Sequence, residues 1–313
     1  MRAAVLHGPG DLRVEEVDEP MGEVVVEVHA ATSCATDRKM LEHGHRALGP
    51  YPAAFGHETA GVRTDTGQRV LVGDSVACLA CAPCRGGRPQ LCRAMTWVLG
   101  GFAERIAAPA GALHAVPEGL PLAGAAMAEP LAACVHAVAR ADGAPAGPAA
   151  VLGGGTVGLM CARLLVLAGR EVTLADRHPE RREQAVALGV AATAERLEPQ
   201  TCALVLEAVG RPESWAAAVG AAAPGATVVL VGGCSAPAVS LPAAPLHYDE
   251  VDVRGAFHHS RAEVDRALAL LASGAIDWRA FAGPTIGLDE LAPALRAPRR
   301  GGRAQKLVVD PRR

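Results

Sequence analysis

Residues 24–30, VVVEVHA, set apolar side chains on alternate positions, the period of a strand with one buried face. Residues 1–6, 12–17 and 23–30 read as strands, separated by turns at Gly8-Pro9-Gly10 and Pro20-Met21-Gly22. Residues 70–76 form a further strand leading into a cysteine-rich loop, and another β run follows Gly100-Gly101-Phe102-Ala103-Glu104. The period changes near Leu122. Residues 122–140 are alanine-rich with apolar positions at helical spacing, and the Gly/Pro/Ala stretch 142–148 reads as a connection. From Ala149 strands and helices alternate. AAVLGGG precedes a helix over 157–168, EVTLAD one over 179–188, and ALVLEAVG one over 213–223, before TVVLVGG and DVRGAF. Such alternation predicts a doubly wound parallel sheet. Residues 261–273 read as an amphipathic helix and 305–310 as a terminal strand, and no internal repeat is visible.

A chain of 313 residues has room for two domains. A net charge of −3 gives no electrostatic footprint for nucleic acid or an anionic membrane, so neither is expected as a partner. The start, MRAAVLHGPGDLRVEE, reaches a turn without the apolar stretch of a signal peptide. No apolar run long enough for a bilayer escapes glycine or proline breaks. With nine cysteines and no secretory signal, a reducing cytoplasmic location is expected. Aromatic residues make up only 3%, so a pocket here has few rings with which to grip an apolar substrate. Only Lys39 and Lys306 are lysines, which suits arginine- and alanine-rich coding and carries no functional reading at this level.

Cys78, Cys81, Cys84 and Cys92 follow the spacing C-x2-C-x2-C-x7-C. Four thiolates in one loop can close a tetrahedral cage, the geometry of structural zinc. An iron–sulfur cluster is the main rival, but the bacterial ferredoxin run has three residues before a fourth cysteine followed by proline, whereas here the gap is seven and Arg93 follows. Disulfides or free thiols are the remaining alternative. A full sulfur cage has no open position, so chemistry must lie elsewhere.

The strand AAVLGGG runs directly into Gly153-Gly154-Gly155-Thr156-Val157-Gly158, a G-x-G-x-x-G turn opening a helix. Gly153 allows the tight turn, Gly155 the approach of a pyrophosphate, and Gly158 close helix–strand packing. The helix N-terminus offers N–H donors to the phosphates. Asp176 ends the next strand about 20 residues on, where the dinucleotide fingerprint places an acid for the adenosine ribose hydroxyls. Arg177 beside it is either a solvated charge or a group that accommodates the 2′-phosphate of NADP. The acid favours NAD.

Cys34, His57, Glu58 and Glu129 lie in the separate segments SCATD, FGHETAG and AEPLAACVHA. Together with the cysteine loop, GGFAE and GGGTVG, their order resembles the medium-chain zinc-dependent alcohol dehydrogenases. EPLA points to the sorbitol (iditol) and threonine dehydrogenase branch. The resemblance covers nearly the whole chain. It implies an α/β protein with a GroES-like, mostly-β catalytic domain over 1–134 and 259–313 and a Rossmann NAD-binding domain over 135–258. It implies two zinc ions per chain. Cys78, Cys81, Cys84 and Cys92 would hold the structural ion. Cys34 and His57 would hold the catalytic ion, with Glu58 and Glu129 completing its sphere, one directly and one through water or exchange. Asp37 would orient the His57 imidazole, as metal-bound histidines require. Thr36 would begin a proton relay. Lys39 stands where many members carry the relay histidine, and His43 or His45 are substitutes. The cofactor would meet Gly153, Gly155, Thr156, Val157, Gly158, Asp176, Arg177, Arg181, Ala208, Val209, Val231, Gly232, Phe257 and His258.

A catalytic zinc has three protein ligands and an open position, where the pKa of a bound oxygen falls. The expected activity is hydride transfer between NAD(H) and a secondary alcohol or ketone of a polyol, sugar derivative or amino alcohol, in a homodimer or homotetramer. An NADPH-dependent carbonyl reductase, supported by Arg177, and a nucleotide-binding scaffold are the alternatives. The scaffold is disfavoured because no ligand is missing. His258 and His259, in AFHHS, stand where relatives carry an arginine and an aromatic residue. They are either groups that hydrogen-bond substrate hydroxyls or a solvated loop.

Overall fold

The computed structural model describes residues 1–45, 47–297 and 301–313. The chain divides into two units. One comprises Met1–Pro130, Ser260–Arg299 and Lys306–Arg313, the other Leu131–His259 and Arg300–Gln305.

The first unit is mostly β. Its main sheet runs Leu113–Ala115, Arg69–Val72, Thr59–Arg63, Val24–Thr32, Lys306–Val309, Ala282–Ile286, with Arg105–Ala108 also pairing Val24–Thr32. The alternation read in residues 24–30 is real: Val24, Val26 and Val28 turn inward on Val70, Val72 and Ile106. A second cluster gathers Leu6, Phe55, Phe102, Leu288 and Leu291. Full burial of each such side chain stabilises by about 1.5–3 kcal/mol, enough to fix the strand ends that carry the chemistry below. The helices Ala35–His43 and Leu288–Arg296 and the strand Ala282–Ile286 go beyond the elements the pattern predicts.

The second unit holds a six-stranded sheet, all of its paired strands parallel. Its order is Ala192–Ala194, Val172–Ala175, Ala149–Leu152, Cys202–Glu207, Ala222–Leu230, Asp252–Gly255. In chain order this is 3-2-1-4-5-6, the doubly wound dinucleotide-binding order. Leu152 pairs with both Ala175 and Glu207, Glu207 with Leu230, and Leu230 with Gly255. This register aligns the carboxyl ends of the strands. Gly153, Asp176, Ala208, Val231 and Ala256 therefore all leave the sheet along one edge. Val205, Val228, Ala150, Ala218 and Val219 pack one face. Gly158 is required by close approach, since a Cβ there would lie 1.8 Å from the Gly153 carbonyl oxygen.

The helix expected over 122–140 is two helices, Leu122–Ala125 and Ala128–Ala139. Pro130 is tolerated in the first turn of the second, where its missing N–H has no helical partner. The stretch Leu122–Ala139 has the length and apolarity of a membrane span, but most of it is buried inside the protein.

Candidate active site and metal centres

In the first unit, three adjacent strands and one helix start converge. Thr32 ends its strand beside Thr59, the residue after Glu58, and pairs with Val308 on the other side. Cys34 follows after Ser33 and caps the helix Ala35–His43. Gly56 turns the chain into His57 with φ +92, and a Cβ there would strike the Phe102 ring at 2.7 Å. Only glycine permits that turn. Sheet register and one glycine turn thus bring together side chains far apart in sequence.

Cys34, His57 and Glu58 each present a ligand atom within 4.8 Å of the others. The Asp37 carboxylate steadies two of these residues. Its Oδ1 lies 3.0 Å from His57 Nδ1, and its Oδ2 accepts the Cys34 N–H at 2.7 Å. Nδ1 facing a carboxylate leaves Nε2 as the metal-facing nitrogen, the usual arrangement for ligating histidine. Burial opposes charge on the imidazole, but the Asp37 carboxylate raises its pKa. Burial likewise disfavours the Cys34 thiolate, yet Lys306 and His57 outweigh it and bring that thiol down to about 7. A thiolate, a carboxylate-backed imidazole and a carboxylate form the donor set of a three-ligand zinc site, and the residues fit the ion.

Glu58 is completely buried. Lys306 Nζ donates to its Oε1 at 2.7 Å, and the Thr32 hydroxyl donates to its Oε2. Burial pushes the carboxyl up while Lys306 opposes it. Burial would lower the lysine, but Glu58 and Cys34 raise it, so Lys306 stays charged. Glu129 lies in the first turn of Ala128–Ala139, is buried, and adds negative charge felt by both Glu58 and Lys306. Its carboxylate is within 4.8 Å of that of Asp74. Lys306, Thr32 and Asp74 are additions to the residues read from sequence. The scarcity of lysine was the available signal for Lys306.

Thr36 and Lys39 stand on the helix Ala35–His43 with His43 ending it, at spacings of three and four that share one helix face. Thr36 is partly buried, while Lys39 and His43 are exposed. His45 Nδ1 is turned to the Ala47 N–H at 3.2 Å.

The four loop cysteines also place their sulfurs within 4.8 Å of one another. Cys81 Sγ is 3.4 Å from Cys84 Sγ and 3.9 Å from Cys92 Sγ. These are not disulfide distances. They bracket the about 3.8 Å edge of a zinc–sulfur tetrahedron with about 2.3 Å bonds. The N–H groups of Arg93 and Cys84 lower the Cys81 thiol to about 6, while desolvation and the neighbouring sulfurs push Cys84 to about 12. One thiolate discourages the next, a conflict that a divalent cation relieves.

In the second unit the helix Thr156–Leu167 begins at the glycine turn with Gly155 as its N-cap. Space at the Gly155 Cβ position is open, as backbone approach by a phosphate requires. Asp176 is buried. Its Oδ2 accepts the Gly154 N–H at 2.7 Å and its Oδ1 the His178 N–H at 2.8 Å. Arg181 approaches Oδ2 at 3.4 Å, and exposed Arg177 donates to the His178 ring at 3.1 Å. Ala208 and Val209 lie against Gly153, where a Cβ would meet Val209 Cγ2 at 2.7 Å. Val231 and Gly232 follow the next strand. Phe257, His258 and His259 form a run of neighbouring rings with centroids 5.7 Å and 4.1 Å apart. His258 has φ +60. His259 is buried, so the solvated-loop alternative does not describe it.

Comparison with known proteins agrees with this anatomy. Residues 20–118 match the alcohol dehydrogenase GroES-like domain, and residues 156–273 match the zinc-binding dehydrogenase domain. Sorbitol dehydrogenase of Bacillus subtilis is 26% identical, covering 100% of this chain and 98% of its own length. D-xylulose reductase A of Aspergillus oryzae is 27% identical over 92% of this chain and 89% of its own. A solved structure described as a zinc-binding dehydrogenase of Sinorhizobium meliloti 1021, bound to NADP, superposes with a TM-score of 0.89 at 29% identity, covering 99% of each chain. A mostly-β unit with a Cys–His–Glu cluster and a four-cysteine loop, joined in one chain to a doubly wound dinucleotide sheet, places this protein in the medium-chain, zinc-binding alcohol dehydrogenase family.

Proposed function

We propose that this protein is a zinc-dependent dehydrogenase that moves a hydride between NAD(H) and a secondary alcohol or ketone of a polyol, sugar derivative or amino alcohol. The convergence of Cys34, His57 and Glu58 carries the reading. Glu58 would be the third protein ligand, a reading supported by its carboxylate sharing the 4.8 Å cluster with Cys34 and His57. Glu129 is the exchanging or water-mediated acid. Zinc held by this set supplies Lewis-acid polarisation of a substrate oxygen. Asp37 keeps the His57 ring in one orientation. Lys306 and Thr32 hold Glu58 from the side of the sheet. The helix face of Thr36, Lys39 and His43 offers a route by which a proton reaches solvent. Asp176 selects the adenosine ribose and supports NAD. A set of one thiolate, one imidazole and one carboxylate donates less electron density to the metal than a set with two thiolates, which suits oxygen-rich substrates. The relatives named sorbitol dehydrogenase and D-xylulose reductase support the same class. The cysteine loop would hold the second, structural zinc. We further propose a cytoplasmic homodimer or homotetramer, which light scattering on the purified protein would test.

A second reading, use of NADP(H), draws on Arg177 and Arg181 flanking Asp176 and on the NADP-bound relative. The deciding experiment is a screen of NAD and NADP reduction by the zinc-loaded protein across polyols, sugars, inositols, amino alcohols and simple alcohols. Preference for NAD with a polyol or amino alcohol is expected. Highest efficiency on hexanol or benzyl alcohol would overturn the substrate class. Absence of turnover with every alcohol and with the matching ketones would overturn the activity.

A further inference from the structure

Glu207 is the last residue of the strand Cys202–Glu207, and its side chain is completely buried. Its carboxylate faces the main chain of the loop that follows. Oε1 accepts the N–H of Val209 at 2.8 Å and of Gly210 at 2.9 Å, and Oε2 lies 3.3 Å from the Gly210 nitrogen. Its own carbonyl oxygen turns to the neighbouring strand and accepts the N–H of Val231 and of Gly232, both at 2.8 Å. One residue therefore ties together two loops, 208–210 with its side chain and 231–232 with its backbone. The loops meet backbone to backbone, since a Cβ on Gly232 would lie 2.3 Å from the Gly210 nitrogen. Trp215 closes the knot by donating its indole N–H to the Gly232 carbonyl at 3.2 Å.

The position of this knot gives it meaning. Strand order reverses between Ala149–Leu152 and Cys202–Glu207, and dinucleotides lie across that switch point at the carboxyl ends of the strands. Asp176, the adenosine ribose acid, lies on the side of the strand Val172–Ala175. The other half of the dinucleotide then falls on the side of Glu207. Loop 208–209 abuts Gly153 of the phosphate turn, at the crossing point itself.

We propose that Glu207 is a positioning residue that locks the two loops receiving the nicotinamide half of the dinucleotide, and leaves the adenosine half untouched. The inference rests on the dinucleotide reading above. A carboxylate accepting main-chain N–H groups makes charge-assisted bonds. An amide in its place turns a donor toward one of those N–H groups, and alanine leaves them unsatisfied.

The test is calorimetric titration of Glu207→Gln, Glu207→Ala and Trp215→Phe with NADH and, separately, with AMP, which carries the adenosine half alone. Glu207→Gln is expected to weaken NADH about tenfold, the order of loss for a hydrogen bond to a charged group, while AMP affinity stays within about twofold. Trp215→Phe, which removes a neutral bond, is expected to weaken NADH about threefold with the same selectivity. It serves in place of Glu207→Ala if that variant does not fold. Equal loss for NADH and AMP would reduce Glu207 to a general structural role and overturn the proposal, as would unchanged NADH affinity in a folded Glu207→Gln. Wild-type protein that binds AMP but gains nothing from the nicotinamide half would also overturn it. Binding of neither ligand by wild type would refute the dinucleotide reading itself.

Discussion

Replacing Lys306 with methionine keeps the unbranched stem, one atom shorter, and removes its charge. In the native protein the Lys306 ammonium lies 2.7 Å from Glu58 Oε1, with the lysine side chain 7% exposed and the carboxylate at 0%. A surface pair of this length would be worth at most about 1 kcal/mol. A buried pair broken from one side leaves an uncompensated charge, and the cost is about 3–5 kcal/mol. Lys306→Met should therefore destabilise the first unit by that amount, read by urea unfolding of metal-free protein through Trp97 and Trp278, the tryptophans of that unit. Removing both charges in Glu58→Gln/Lys306→Met should recover most of the loss, because apolar or neutral replacement of a whole buried pair is often neutral. The pH dependence has a definite sign. Burial and the Cys34 thiolate already raise the Glu58 carboxyl above its ordinary value, and the variant loses the opposing lysine. A raised folded-state pKa contributes stability that is present below the ordinary carboxylate value, about 4.3, and lost as pH rises through the raised one. The deficit of Lys306→Met should thus be small near that value and widen toward neutrality. A deficit under about 1 kcal/mol at neutral pH, or a double variant no better than the single, would refute the buried ion pair.

Asp37→Asn keeps the shape beside His57 but removes the charge behind the imidazole, so affinity for the Cys34–His57–Glu58 zinc should fall about 10–100-fold. Competition with a chromophoric chelator measures this, and an unchanged affinity would contradict the orienting role. Asp176→Ala should narrow a preference of about tenfold or more for NAD over NADP, because Arg177 and Arg181 would then face a 2′-phosphate without the acid. Steady-state kinetics with both cofactors checks this, and an unchanged ratio would remove Asp176 from cofactor selection.

The inner strands of the parallel sheet were legible because they are apolar, paired on both sides and alternate with helices of clear period, whereas the edge strand Ala192–Ala194, three residues long and paired on one side, went unread. The cysteine loop was legible because all its ligands sit within one short segment. The proposed catalytic-site residues were legible only as motifs in a characteristic order, since neither spacing nor period joins Cys34 to His57 or Glu129. Lys306 and Thr32 escaped notice for the same physical reason. Lys306 is 248 residues from Glu58, and only antiparallel register brings the strand ends together. The helix Ala35–His43 is short and polar, burying only Asp37, Met40 and Leu41, so it has almost no apolar stripe to read. The strand Ala282–Ile286 contains Gly283 and Pro284 and lies at a sheet edge, where proline is tolerated. Glu207 was readable in principle, as a charge closing the apolar run LVLE. Which loops it ties follows only from the pairing of its strand with Ala222–Leu230.

The proposed chemistry depends on two different zinc centres in one chain, one a closed sulfur cage and one a mixed site with room for substrate. Metal analysis of protein purified without chelator, run beside Cys34→Ser and Cys84→Ser, tests it most directly. Two equivalents of zinc are expected in wild type and about one in each variant. The ion retained by Cys34→Ser should resist chelation and that retained by Cys84→Ser should be readily stripped. One equivalent or none in wild type, or two in Cys34→Ser, would contradict it.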